Sequence, residues 1–456
     1  MDRRPGRSDL NHHDRRLVVN DPRRKKRTIA PSWWQRLRSH PLATLGPGLV
    51  TGAADDDPSG IATYSQAGAQ FGLNILWTMP LTYPLMSAVQ VMCARIGLVT
   101  GKGLAANIKA NFAPWVITVV VALLLLANTL NIAADVVAMG EAAHLVTGLS
   151  HLQMTTLFVV VTLLLQIFVP YHNYVRYLKW LTLSLLAYGA VMFTIHVPWG
   201  EVVLRTLWPR LRLDSNAAAV VVAVFGTTIS PYLFFWQASQ EVEDLHRQHD
   251  APLVSLKRSL GKREFRRVAW DSWSGMLFSN LTAYFIILST ALTLHVAGVH
   301  DIKTAAEAAE ALRPLAGDFA FLLFALGILG TGLIGVPVLA GSGAYALSEA
   351  MGWRWGLERK ATDAVGFYGV ITLSVLAALV LQFSPINPIK ALFWSSVING
   401  IVAVPLMVVI ILLSSKRSVM GAYVERGWIR VLAWIATAVM GMAVIWMFLP
   451  HSGPSS

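Results

Sequence analysis

The sequence predicts an all-α protein that crosses a membrane many times, and three observations predict it. The chain of 456 residues is 55% hydrophobic and only 14% charged, against roughly 25% charged residues in soluble domains. Its mean hydropathy is +0.54. Apolar runs of about 20 residues, enough to span a bilayer core of about 30 Å, recur from Pro41 almost to the C-terminus. Third, Lys and Arg concentrate in alternate loops. A soluble globular domain and a disordered chain are excluded. The single cysteine, Cys93, excludes an intramolecular disulfide framework and a Cys-cluster metal site and reads as a small buried apolar residue.

Residues 1–40 form a polar, arginine-rich tail with the run Arg23, Arg24, Lys25, Lys26, Arg27. No early apolar core follows that would make a signal peptide, so the tail reads as a disordered cytoplasmic segment. Its adjacent His12 and His13 read as solvated rather than metal-binding. Apolar periodicity and its breakers then place eleven segments. Segment 1, Pro41 to Phe71, is interrupted in its middle, and segment 2 runs from Leu73 to Val99. Segments 3, 4 and 5 cover Ala113 to Ala138, Leu152 to Val169 and Tyr177 to Val197. Segment 6, Ala217 to Glu241, is again interrupted, and segment 7 covers Trp270 to Val296. Segment 8, Phe319 to Ala346, carries Gly327, Gly330, Gly332 and Gly335, which suit close helix contact. Segments 9, 10 and 11 cover Ala364 to Phe383, Pro388 to Leu413 and Trp428 to Leu449, and tryptophans near the span ends read as interfacial anchors.

With the N-terminus inside, the inner loops and tail carry 31 of the 37 Lys and Arg residues. The basic pI near 9.9 and net charge of +12 are thereby explained as topology, with attraction to anionic lipid worth about 1 kcal/mol per basic residue near the surface. Nucleic acid is not needed as a partner. The expected location is the cell membrane, with the C-terminus outside.

Segment 1 contains Asp55, Asp56, Asp57, Pro58, Ser59 and Gly60, preceded by only 14 residues from Pro41 to Ala54. These polar and breaking residues therefore fall inside the membrane. A carboxylate facing lipid there would cost about 2.5 to 3.5 kcal/mol, and non-helical backbone needs protein or water around it. They must line an internal site, unless the segment is an outer loop between two re-entrant pieces. Segment 6 repeats the device: Ala217 to Ser230 is again 14 residues, and Pro231 then interrupts it, in the stretch Gly226, Thr227, Thr228, Ile229, Ser230, Pro231. Two interrupted segments five spans apart have opposite orientation, the pattern of inverted-repeat transporters whose unwound helices bind substrate at the midplane. Freed carbonyls beside a carboxylate make an oxygen-rich cation site.

Gly46, Pro47, Gly48, then Asp57-Pro58-Ser59-Gly60-Ile61-Ala62-Thr63, Gln66-Ala67-Gly68 and Phe71-Gly72 resemble segment 1 of the Nramp family of divalent metal transporters, whose hallmark is Asp-Pro-Gly-Asn. Segment 6 is similar around Gly226 to Pro231, segment 8 around Ala340 to Glu349, and Met420-Gly421 resembles the family's close after segment 10. The resemblance implies a LeuT-type fold: an inverted repeat of five plus five helices, residues 41–197 and 217–413, with an eleventh helix at 428–449 and a short outer tail, 450–456. It implies a metal site at Asp57, Gly60, Thr227 and Ser230, with no cofactor and no enzymatic activity.

Where the family has asparagine this chain has Gly60, and the methionine and histidine of segment 6 are replaced by Ser230 and Tyr232. Loss of the thioether favours hard cations, since oxygen ligands suit Mg²⁺, which keeps its waters. Small Gly60 and Ser230 are also expected to leave room for a partly hydrated ion. Both features resemble the Nramp-related magnesium transporters, so the expected cargo is Mg²⁺ or Mn²⁺, with weak or no proton coupling. Asn128, Asn131 and Asp135 share one face of segment 3; the asparagines either join helices or border the path, and Asp135 is an ionisable group in an apolar span. Asp56, Tyr64, Tyr232, Gln237 and Asn399 are further candidates for the permeation path. Glu141 reads as interfacial, and Glu241, Glu243 and Asp244 as a solvated collar or a gate at the inner mouth. The alternatives are a proton-coupled Mn²⁺/Fe²⁺ importer of the same family and a LeuT-fold carrier of an organic cation or amino acid, to which Tyr64, Tyr232, Phe234 and Phe235 would contribute. An intramembrane aspartyl enzyme fits poorly, because no second motif supplies a partner acid.

Overall fold

Proline and glycine punctuate the apolar sequence into helices, as the computed structural model shows for residues 47–170, 178, 181–210, 215–248, 258–381 and 387–449. The basic tail, His12, His13, Gly46 and residues 450–456 lie outside the described residues. In chain order the helices are α1 Pro47–Asp55, α2 Pro58–Phe71, α3 Thr78–Thr100, α4 Leu104–Asn111, α5 Pro114–Thr147, α6 His151–Phe168, α7 Leu186–Val191 and α8 Trp199–Leu207. They continue with α9 Ser215–Thr228, α10 Pro231–Gln248, α11 Arg258–Thr290, α12 Ala305–Ala309, α13 Ala320–Met351, α14 Val365–Leu381, α15 Pro388–Ser415 and α16 Trp428–Phe448.

Eight helical stretches among the described residues are long and apolar enough to cross a membrane. The other three expected segments differ for local reasons. Segment 1 is split into α1 and α2. Segment 5 is partly outside the described residues and otherwise a 3-10 turn, Leu181–Leu185, followed by six-residue α7. Segment 9 is the 17-residue α14. Segment 3 runs nine residues beyond its expected end, because nothing breaks the helix until Gly148, which closes it at φ 69°. Short α8 has no counterpart in the sequence reading; its Trp199, Leu204 and Leu207 are exposed, as suits a helix lying along an interface.

The broken helices form the centre. The stretch Asn216–His246 is 94% buried in its apolar window, against 22% for α6 and 28% for α16, which face outward. Glycine sets how closely the central helices approach. A Cβ on Gly226 of α9 would stand 2.0 Å from the Ser396 carbonyl oxygen of α15, and one on Gly52 of α1 would stand 2.3 Å from the Gly275 oxygen of α11. Gly332 of α13 similarly accommodates Met139 of α5 and Gly330 accommodates Leu181, so the segment 8 glycines serve close packing.

Candidate functional site

The two breaks share one local cause. The residue before a proline is pushed out of the α region, and proline is well tolerated as the first helical residue. Asp57 is accordingly extended (φ −64°, ψ 170°) and becomes the N-cap of α2; Ser230 precedes Pro231 at the start of α10. Each break exposes carbonyls of the preceding helix and amides of the next, and side chains satisfy both. The Ser230 hydroxyl lies 3.0 Å from the Gly226 oxygen and 2.7 Å from the Thr227 oxygen, to which it donates.

Asp57 is 1% exposed and receives four donors. Its Oδ1 accepts from Ser59 Oγ at 2.6 Å and from the Gly60 amide at 2.8 Å. Its Oδ2 accepts from Asn131 Nδ2 at 2.9 Å and from the Tyr232 hydroxyl at 3.2 Å. The same Tyr232 hydroxyl has a second acceptor, the Ala54 carbonyl at 3.0 Å, so its one proton can leave Asp57 without being stranded. Asn131 Oδ1 accepts from Ser395 Oγ of α15 at 2.7 Å, and Asp135 Oδ1 accepts from the Ser59 amide at 3.2 Å. Two carboxylates thus sit at the positive N-terminal end of α2. Asp135 Oδ2 has no partner among the described residues.

Asp55 and Asp56 turn the other way, toward α11. One hydroxyl, Ser279 Oγ, lies 2.6 Å from Asp55 Oδ2 and 2.9 Å from Asp56 Oδ1. A single proton serves two fully buried carboxyl groups, and Asp55 Oδ1 and Asp56 Oδ2 are unpartnered among the described residues. The sequence placed Ser59 in the break but did not find Ser279 or Ser395, since serines scattered through apolar helices carry no local signal.

The remaining candidates divide. A Cβ on Gly60 would meet Thr227 Oγ1 at 3.1 Å and Tyr64 Cε2 at 3.4 Å. The space expected there is therefore filled by Thr227 and Tyr64. Tyr64 donates to Thr228 Oγ1 at 3.1 Å, because Thr228 spends its own proton on the Val224 carbonyl. Gln237 lies away from Asp57, accepting from Thr51 Oγ1 at 2.6 Å and donating to Glu241 Oε1 at 3.1 Å. Asn399 is buried with Oδ1 unpartnered among the described residues. Glu241 is fully buried and paired with Arg267 at 2.9 Å, which excludes a solvated collar at that residue.

One end of the site opens toward a cavity of about 120 Å³ lined by Ala62, Ser65, Ala138, Glu141, Leu392 and neighbours from residues 302–308 and 387–389. Ala138 is three residues beyond Asp135, and Leu392 three before Ser395, so the cavity stops about one helical turn from Asp135 and Ser395. At the other end α10 is clasped to α13. Ser239 donates to Glu349 at 3.0 Å, Gln240 to the Tyr345 hydroxyl at 2.9 Å, and Tyr345 to Glu243 at 2.7 Å. Glu349 also accepts from the Ala106 amide of α4 at 3.2 Å. A second cavity, lined by Glu243, His246, Trp353 and Arg354 among others, borders this α10–α13 clasp. Among the described residues no three His, Cys, Asp or Glu side chains converge as a metal-holding group, so a cation here would rely on Asp57 with neutral oxygens.

Residues 48–450 match the family described as natural resistance-associated macrophage protein-like, Nramp. The chain belongs to the Nramp family. This Nramp chain is 25% identical over 416 residues to the divalent metal cation transporter MntH of Klebsiella pneumoniae (strain 342), covering 90% of itself and 94% of the relative. It is 27% identical over 421 residues to MntH of Acidiphilium cryptum (strain JF-5), covering 89% and 90%. Among solved structures it is similar to the Eremococcus coleocola manganese transporter, with TM-score 0.70, 16% identity and coverage of 91% and 87%. It is also similar to Mhp1, a nucleobase-cation-symport-1 family transporter, with TM-score 0.53, 14% identity and coverage of 89% and 93%. The fold is LeuT-type, and the Nramp protein is a multi-pass membrane protein.

Proposed function

We propose that this Nramp protein imports a divalent metal cation, Mg²⁺ or Mn²⁺, across the cell membrane through a midplane site between its two broken helices. The observation that carries the reading is Asp57, a buried carboxylate fixed at the break of one helix with the oxygens of the other break beside it. The relatives' names, divalent metal cation transporter and manganese transporter, support the cargo class.

Asp57 is the principal ligand in this reading, joined by oxygens of Thr227 and Ser230 and by backbone near Gly60. Tyr232 makes the site reversible. Its hydroxyl has two acceptors, Asp57 Oδ2 at 3.2 Å and the Ala54 carbonyl at 3.0 Å, so its proton can turn to Ala54 when a cation takes the carboxylate oxygen. Oxygen donors alone favour hard ions over thiophilic ones. Asp56, Tyr64, Asn131, Asp135, Gln237 and Asn399 border the path. The cavity end faces outside, and the α10–α13 clasp faces the cytoplasm, where basic loops meet anionic lipid. Residues 41–197 and 217–413 are the two inverted repeats, and residues 428–449 are an added helix.

Transport runs down the electrochemical gradient, since an inside-negative potential contributes about 2.3 kcal/mol per elementary charge per 100 mV. A second reading, proton-coupled Mn²⁺ or Fe²⁺ import, is favoured by one observation, the unpartnered Oδ2 of buried Asp135. The deciding experiment is uptake of labelled Mn²⁺ into proteoliposomes in competition with Mg²⁺, Cd²⁺ and amino acids. Competition by Mg²⁺ supports the proposal, and competition by amino acids alone overturns it.

A further inference from the structure

The loop that follows α13 is held at three points. Gly352 ends the helix at φ 76°, and the Trp353 amide turns back onto the Ser348 oxygen at 2.8 Å. Gly356, at φ 133°, lets the backbone run close to α10: a Cβ there would stand 3.0 Å from Glu243 Oε1, and the next amide, that of Leu357, donates to the same oxygen at 3.0 Å. The Tyr368 hydroxyl of α14 then donates to the Arg359 carbonyl at 2.9 Å.

Between these points the loop borders the second cavity, of about 570 Å³, to which it contributes Trp353, Arg354, Trp355, Glu358 and Arg359 while α10 contributes Glu243 and His246. The acids of the cavity are already engaged. Glu243 accepts from Tyr345 and Leu357, and Glu358 has its own interaction. The guanidinium groups of Arg354 and Arg359 are exposed and form no ion pair or hydrogen bond among the described residues. A pinned loop that brings two unpaired arginines to one cavity is preorganised for an anion, and the planar guanidinium fork matches the paired oxygens of a phosphate.

The surroundings name the source of the phosphate. The cavity lies at the end of a membrane-spanning helix, where Trp353, 42% exposed, and Trp355 stand as interfacial anchors do. Trp353 packs on the first turn of α14, since a Cβ on Gly366 would stand 2.5 Å from its ring. From there α14 presents Val365, Leu373 and Val380, which are 70%, 70% and 69% exposed, as an outward apolar face along which acyl chains lie. A free phosphate would use the arginines alone, whereas a phospholipid uses the arginines and this face.

We propose that the cavity seats the headgroup phosphate of an anionic phospholipid of the inner leaflet, and that its occupation steadies the α10–α13 clasp. The second part follows from connection: Leu357 ties the loop to Glu243 of α10, and Tyr345 of α13 donates to the same carboxylate. The proposal rests on the orientation proposed above, in which this end faces the cytoplasm, and it narrows a diffuse attraction of basic loops to one site.

In the test, short-chain phosphatidylglycerol is titrated onto purified protein in nonionic detergent and the rise in melting temperature is followed, beside short-chain phosphatidylcholine and inorganic phosphate. Arg354→Gln/Arg359→Gln protein is compared with Arg426→Gln/Arg430→Gln protein, which loses the same charge from exposed arginines at the start of α16. A basic residue near an anionic surface is worth about fivefold in affinity, so the first variant should need about thirtyfold more phosphatidylglycerol for the same rise, and the second should stay close to wild type. Equal losses in the two variants, an equal rise with inorganic phosphate or phosphatidylcholine, or no rise with phosphatidylglycerol each overturn the site. Phosphatidylglycerol should also slow thiol labelling of Thr51→Cys/Cys93→Ser protein, and should not do so once Arg354→Gln/Arg359→Gln is added; equal slowing in both, or none in either, overturns the effect on the clasp. Neither measurement involves transport, so both outcomes are independent of the proposed cargo.

Discussion

Asp57→Ala removes the acceptor of four hydrogen bonds at once. Loss of an aspartate N-cap costs about 1 kcal/mol. Asn131 Nδ2, on a fully buried side chain, is left without its carboxylate acceptor, at about 1 to 3 kcal/mol. Tyr232 escapes a comparable penalty because the Ala54 carbonyl is at hand. The sum, about 2 to 4 kcal/mol, lowers the unfolding temperature but leaves a folded fraction that can be assayed. Asp57→Asn keeps the shape and one acceptor oxygen, so it should be the more stable of the two. Both variants should show background uptake of Mn²⁺ and Mg²⁺ in proteoliposomes, since each removes the carboxyl group proposed as the ligand. Full uptake by Asp57→Asn, together with loss in Asp55→Ala or Asp56→Ala, would refute the reasoning and move the ion to the pair that shares Ser279.

Four further outcomes are expected. Ser230→Met places a thioether at the break and should shift preference toward Cd²⁺ in uptake competition; wild-type protein that already carries Cd²⁺ and not Mg²⁺ would contradict the hard-ion reading. A pH dye inside proteoliposomes should report little metal-dependent acidification, and acidification that disappears in Asp135→Asn would establish a proton route through Asp135. Gly226→Ala should lower thermal stability by well over 1 kcal/mol, because its methyl group would stand 2.0 Å from the Ser396 oxygen; a wild-type melting curve would contradict that packing. Tyr345→Phe breaks the link between Gln240 and Glu243 and should make a cysteine placed at Thr51, in a Cys93→Ser background, react faster with thiol reagents from the clasped side.

Hydropathy, charge asymmetry and two prolines were sufficient to read an all-α membrane protein with broken central helices. Those features are local: an apolar run of spanning length has few alternatives, and a residue before proline leaves the helix wherever it is. Nothing local marked α8 as a separate helix, and the continuation of segment 3 to Thr147 was hidden by polar residues near its end. The Asp57 break was visible for the same reason that it forms. Asn131 and Tyr232 were legible as candidates for the path, but their bonds to Asp57, and the bond of Ser395 to Asn131, were not, because the three residues lie on three helices brought together only by packing.

Three adjacent aspartates are alike in the sequence, and packing makes them unlike. Asp57 gains one donor from α5 and one from α10 beside the two of its own helix α2, while Asp55 and Asp56 meet one serine of α11. The same holds for Glu241, whose burial against Arg267 depends on α10 lying beside α11, and for Arg354 and Arg359, whose cavity is completed by Glu243 and His246 of α10. Composition and local breakers determine which stretches enter the membrane and where they open, since both are properties of neighbouring residues. Which carboxylate is hydrogen-bonded, which is left with an unpartnered oxygen and which arginines share a cavity depends on contacts between distant helices, and only the packed bundle decides those.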